Sequence, residues 1–169
     1  MLKKFLSTLL LAVFVLFAGT EFVSAGANQD TVLEDAIEWQ GHYYKIFPMN
    51  VNWETAKKFC ESIGGHLATA ETQAENEMLK QFFLKYGKDV KAIRIGGYRD
   101  DAGIWRWVTG KIIASYFDWG NGQPRGERTL IFNRDIDGKW ATVNGEGYAS
   151  EYFFICEWES AADAHDSTL

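Results

Sequence analysis

The sequence predicts an α+β domain, on three observations. Two amphipathic helical stretches come early, five short strand-like runs come after them, and a single pair of cysteines sits at the two ends of that arrangement, Cys60 on the first helix and Cys156 in the last strand.

The elements follow in chain order. Gly41 to Phe47 carries Tyr43-Tyr44-Lys45-Ile46-Phe47, an aromatic and β-branched run that favours a strand, and Pro48 stops it. Asn52 can then cap a helix in which Trp53, Ala56, Cys60 and Ile63 recur at three- and four-residue intervals; Gly64-Gly65 ends it. Thr72-Gln73-Ala74-Glu75 is a capping-box pattern that announces the second helix. Its apolar stripe is Met78, Leu79, Phe82, Phe83 and Tyr86, a core-facing stripe rather than a ligand site, and Gly87 closes it. Short strands are expected at Ala92 to Tyr98, Ile104 to Val108, Leu130 to Asn133, Lys139 to Val143 and Phe153 to Trp158. Between the second and third of these, Thr109 to Arg128 has five glycine or proline positions and no clear period, which predicts a long loop. Tyr116, Phe117 and Trp119 within it have apolar area to bury, so the loop is expected to be ordered.

The chain ends read differently. Lys3 and Lys4, the apolar run from Leu9 to Ala18, and Val23-Ser24-Ala25 form the three parts of an export signal, so residues 1–25 are expected to be removed and the protein to be secreted. The apolar run is too short to span a bilayer, and no later segment is apolar enough to do so. Residues 26–36 read as a flexible lead-in, 37–159 as the folded domain and 160–169 as a flexible tail. The formal charge is −6, and the cleaved chain, having lost two lysines and one glutamate, would carry −7, which disfavours nucleic acid as a partner. In an oxidising compartment two cysteines point to a disulfide, with two free buried thiols as the alternative. No Gly-x-Ser-x-Gly elbow, phosphate loop or His-Glu-x-x-His occurs, and His42, His66 and His165 belong to no catalytic pattern, so an enzyme is not expected. Nothing in the pattern specifies an oligomeric state.

The folded region resembles the C-type lectin-like domain family. The segments that carry the resemblance are Tyr43-Tyr44, Trp53-Glu54-Thr55-Ala56 leading to Cys60, Gly64-Gly65-His66-Leu67-Ala68, Ile95-Gly96-Gly97, Trp105-Arg106-Trp107-Val108-Thr109-Gly110, Trp119, Gln123-Pro124, Trp140, and Phe154-Ile155-Cys156-Glu157. Arg94 stands where the family usually has a tryptophan. The resemblance implies two helices packed on short antiparallel sheets with a long irregular loop region, and a disulfide between Cys60 and Cys156. A second cysteine pair, expected near Thr129 and Asn144, is absent, so aromatic packing and backbone hydrogen bonds would have to hold the loop.

Sugar-binding members hold a calcium ion in the long loop, and calcium takes six to eight oxygen ligands. Their Glu-Pro-Asn or Gln-Pro-Asp signature corresponds here to Gln123-Pro124-Arg125, Glu127 can stand for one acidic ligand, and the Asn-Asp pair after the late tryptophan is replaced by Ala141-Thr142 after Trp140. Arg125 and Arg128 would oppose a divalent cation. Asp135-Ile136-Asp137-Gly138 reads as a polar turn. A structural calcium is implied at Thr69, Glu75 and Glu157, with Glu75 as a plain helix cap the competing reading. The candidate ligand surface is Tyr116, Trp119, Gln123, Arg125, Glu127 and Arg128, with a glycan or a protein as the partner. The expected function is a secreted, non-catalytic recognition module that dispenses with the sugar-bridging calcium; the alternative is a calcium-dependent carbohydrate-binding lectin.

Overall fold

The computed structural model describes residues 32–145 and 152–165; the expected export signal and most of the expected lead-in lie outside them. The strands are β1 (Ile37–Trp39), β2 (His42–Phe47), β3 (His66–Leu67), β4 (Ala92–Arg99), β5 (Trp105–Trp107), β6 (Thr129–Asn133), β7 (Lys139–Val143) and β8 (Tyr152–Trp158); the helices are α1 (Trp53–Ser62) and α2 (Gln73–Tyr86).

Both helices begin where their caps predict. Asn52 accepts the Thr55 N–H at 2.8 Å, and the Thr72 hydroxyl accepts the Glu75 N–H at 3.1 Å. The Glu75 carboxylate does not close a capping box on Thr72; its Oε2 accepts the N–H of Glu71 at 2.8 Å instead. Trp53, Ala56 and Cys60 are buried on α1, and Leu79, Phe82 and Phe83 on α2. Tyr86 departs from the expected stripe: it lies in the last turn of α2, meets Phe82 edge-on and is 57% exposed.

The strands form one connected sheet in the order β1-β2-β8-β4-β6-β7, with β3 added to β8 and β5 to β4. The expected antiparallel arrangement holds except at one place: β8 runs parallel to β4, with Ala92, Ile93 and Arg94 opposite Tyr152, Phe153 and Phe154. The last described strand lies in the middle of the sheet, where it pairs antiparallel with β2 and parallel with β4 and places Cys156 beside α1. Cys60 and Cys156 are disulfide-bonded with their Cα atoms 5.6 Å apart.

Residues on either side of 37–159 join the packing as well. Val32 is buried and its carbonyl accepts from Lys45 Nζ at 3.0 Å. At the other end Ala161–Asp163 form a 3-10 turn, Ala164 is buried, and the His165 N–H donates to the Ile63 carbonyl. Gly64 makes this docking possible: its φ is +79°, and a Cβ there would lie 1.7 Å from the Asp163 carbonyl oxygen.

Arg94 is fully buried on β4; its Nε donates to the Val51 carbonyl at 3.0 Å and its guanidinium lies over the Tyr152 ring at 5.2 Å.

Candidate functional site

The loop from Thr109 to Arg128 is organised around one fully buried side chain, Trp140 of β7. Tyr116, Trp119 and Trp107 meet it edge-on, at centroid distances of 5.9, 5.5 and 5.6 Å, and Trp105 packs on Trp119 at 5.1 Å. The backbone joins the loop here as well, with Trp140 N–H donating to the Asp118 carbonyl and Gly120 N–H to the Trp140 carbonyl, both at 2.8 Å. Buried Asn76 of α2 ties the aromatics together. Its Oδ1 accepts Trp140 Nε1–H at 2.7 Å, and its Nδ2 donates to the Tyr116 hydroxyl at 3.1 Å and to Asp118 Oδ2 at 2.9 Å. Side-chain hydrogen bonds therefore hold the loop together with the expected aromatic and backbone contacts. Two of the candidate ligand residues, Tyr116 and Trp119, serve this packing; Phe117, 48% exposed, does not.

The other candidates split into two groups. Gln123 and Glu127 converge on Thr142 of β7. The Thr142 N–H donates to Gln123 Oε1 at 3.1 Å; its hydroxyl lies 3.0 Å from Gln123 Oε1 and 2.9 Å from Glu127 Oε2, and accepts the Arg125 N–H at 3.0 Å. Its own backbone N–H and the Thr142 hydroxyl hold the Glu127 carboxyl below its ordinary pKa. The Gln123-Pro124 peptide bond is cis. The Arg125 side chain is exposed, whereas Arg128 turns to Asp101 Oδ1 at 2.7 Å and the Asp100 carbonyl at 2.9 Å. Of the positions that correspond to calcium ligands, Gln123 offers an amide oxygen and Glu127 a carboxylate, both within hydrogen-bond reach of Thr142, while Ala141 is buried beside Ala92 and Ile131 and its side chain offers no oxygen. Replacing Thr142 by Val keeps the shape and removes the hydroxyl. It should cost about 1 kcal/mol and speed amide exchange in residues 121–128, measured by mass spectrometry; unchanged exchange would show that Thr142 does not tether the loop.

Beside the loop lies an open groove of about 800 Å³ between the start of α1, the end of β4 and the loop's return. Glu127 and Arg128 line it, with Trp53, Tyr98, Arg99, Asp100 and Asp101, none of which was singled out as a ligand contact from the sequence. Thr129 and Asn144 also line it, at the positions where a second cysteine pair would otherwise cross.

The structural-calcium candidates come from three parts of the chain: Thr69 follows β3, Glu75 is on α2 and Glu157 on β8. Glu157 Oε2 accepts the Thr69 N–H at 2.8 Å and the Thr69 hydroxyl at 3.2 Å, while Oε1 faces His42 Nδ1 at 2.9 Å. The Tyr44 hydroxyl lies 2.9 Å from Glu75 Oε1 and 3.4 Å from Glu157 Oε1. Glu75 therefore does more than serve the helix cap. Burial, and then the neighbouring Glu157 charge, push its carboxyl pKa up; burial pushes the Tyr44 phenol up, and the hydrogen bond to Glu157 raises His42.

A mixed sheet whose central strand β8 is tied to α1 by one disulfide, a long loop pinned on a buried tryptophan and a groove beside that loop form the frame of a recognition domain. The chain belongs to the family described as Lectin C-type domain, which matches residues 49–158. It is 29% identical over 110 residues to a perlucin-like protein of Mytilus galloprovincialis, covering 64% of this chain and 68% of that one. To the snaclec echicetin subunit beta of Echis carinatus sochureki it is 27% identical over 128 residues, covering 74% and 96%. Human lithostathine has the same fold, with a TM-score of 0.66 at 23% identity over 74% of this chain and 88% of that chain.

Proposed function

We propose that the chain is exported and binds a glycan through its long-loop face without a bridging calcium ion. The observation that carries this reading is the closure of Gln123 and Glu127 onto Thr142, which engages one oxygen of each at the positions where a bridging ion would be held and leaves the Arg125 side chain exposed on the same loop. The adjoining groove presents paired charges of both signs together with Tyr98, a set of donors and acceptors suited to sugar hydroxyls; Arg125 adds a cationic contact for an acidic group on the ligand. Among the described residues no helix is long and apolar enough to cross a membrane.

The test is a glycan array run with calcium and with chelator. Hits that survive chelation support the proposal, and chelator-sensitive hits favour the calcium-dependent lectin. Binding confined to proteins would retain the recognition surface and change the ligand class. With a glycan hit in hand, Arg125→Ala should weaken binding by roughly 1–2 kcal/mol while changing stability by less than about 0.5 kcal/mol; calorimetry and thermal melting measure the two, and unaltered affinity would remove Arg125 from the site.

A further inference from the structure

Three strands and the residue just past β8 bring two histidines and two glutamates together. The register sets His66 of β3 and Tyr44 of β2 opposite Glu157, and Glu159, two residues further along, points the same way beside His42. One nitrogen of His42 and one oxygen each of Glu157 and Glu159 lie within 4.8 Å of one another. His42 Nε2 is 3.6 Å from Glu159 Oε2, and His66 lies against both carboxylates, its Nε2 3.1 Å from Glu159 Oε1 and its Nδ1 3.9 Å from Glu157 Oε2. A tetrahedral ion with bonds of about 2.0–2.1 Å spaces its ligand atoms roughly 3.3 Å apart, between the 3.1 Å from His66 Nε2 and the 3.6 Å from His42 Nε2 to the Glu159 carboxylate.

The hydrogen bonding supplies a second, independent reason. A neutral imidazole has one N–H and one bare lone pair. Both nitrogens of His42 face carboxylates, Nδ1 toward Glu157 at 2.9 Å and Nε2 toward Glu159. His66 Nδ1 faces the Leu67 carbonyl at 3.0 Å while Nε2 faces Glu159. In its neutral form each ring thus meets two acceptors with one proton, a shortfall that either a second proton or a cation on one nitrogen makes good. With a metal on Nε2 of His66, Nδ1 keeps its proton and donates it to the Leu67 carbonyl, the outer-shell partner that ligating histidines commonly have.

Access and charge agree. The cluster borders a cavity of about 160 Å³ that Glu71 and Glu75 also line, with Lys111 as its cation, and the Glu159 side chain is 59% exposed, so an ion has a way in. Calcium takes an all-oxygen shell, whereas imidazole with carboxylate suits zinc and its first-row neighbours.

We propose that His42, Glu157 and Glu159, closed by His66, form a binding site for a divalent transition-metal ion of the zinc type, separate from the long-loop face. The ion would bridge β2, β3 and β8 beside the disulfide.

The experiment is calorimetric titration of the full-length chain, produced through a secretory host without a histidine tag, with Zn²⁺ and separately with Ca²⁺. The expected result is one Zn²⁺ per chain with micromolar or tighter affinity, a rise in Tm on adding Zn²⁺, and no displacement by a hundredfold excess of Ca²⁺. Co²⁺ should give the visible absorption of a four- or five-coordinate site. His42→Ala and the more exposed Glu159→Ala should each weaken Zn²⁺ binding at least about tenfold; His165→Ala, outside the cluster, should leave it unchanged. Glu159→Ala should melt like the parent chain when metal is absent, so loss of binding there is not loss of fold. Three results would overturn the proposal: no Zn²⁺ binding below about 1 mM, equal affinity in the parent chain and Glu159→Ala, or displacement by calcium.

Discussion

Trp140→Ala is expected to destabilise the domain by about 3 to 5 kcal/mol and to release the long loop from the sheet. The ring is fully buried, and three aromatic side chains meet it edge-on, so truncation opens a cavity that Tyr116, Trp107 and Trp119 cannot all close. It also strips Asn76 Oδ1 of the Trp140 Nε1–H donor inside the protein. Trp140→Phe separates the two effects. It keeps most of the packing and loses the donor, and should cost about 1 to 3 kcal/mol. Urea unfolding followed by tryptophan fluorescence and far-UV circular dichroism gives both values. The backbone bonds Trp140 makes to Asp118 and Gly120 survive either change in principle, so loop mobility in Trp140→Ala would identify the ring as what orders the loop. A loss below about 1 kcal/mol would refute that role.

The helices were legible because their signals are local. Asn52 and Thr72 satisfy backbone N–H groups three residues on, and the apolar spacing from Trp53 to Cys60 needs no knowledge of the rest of the chain. The strands β1 and β3 were not read, since they are three and two residues long and exist because β2 and β8 lie beside them. The parallel entry of β8 next to β4 is a decision of the whole sheet and leaves no period in the sequence.

The candidate site divides the same way. That Gln123, Glu127 and Thr142 stand at altered ligand positions could be read from the resemblance, but their closure on one another depends on β7 lying beneath the loop. Asn76 is a polar residue in the first turn of α2, where nothing local distinguishes a buried hub from a solvated surface residue. Glu157 and Glu159 show the two-residue spacing of one strand face, yet His42 and His66 lie more than 90 residues away on either side of that strand, and only the pairing register brings them together.

Removing the disulfide should lower stability by about as much as removing Trp140, for a different reason. Cys60→Ala with Cys156→Ala frees a link between residues 96 apart, and the chain-entropy argument assigns about 4 to 5 kcal/mol to a loop of that length. Both cysteines are fully buried, and Ala leaves little unsatisfied, so most of the loss arises in the unfolded chain, which gains conformations it did not have. The expected drop in Tm is roughly 10–20 °C. The contacts around the link predict which parts loosen first. Phe47, Phe59, Phe154 and Trp158 stack together around it, and the docked 160s turn rests on Gly64 at the end of α1. Amide exchange should therefore rise at the α1 terminus and in residues 160–165 before it rises in α2, whose anchor is Asn76. The Thr109–Arg128 loop, pinned on Trp140 at the far side of β4, should keep its protection until global unfolding. Equal loosening of the loop and of α1 would mean that the two core clusters unfold as one unit and that the disulfide stabilises the whole sheet, not one end of it.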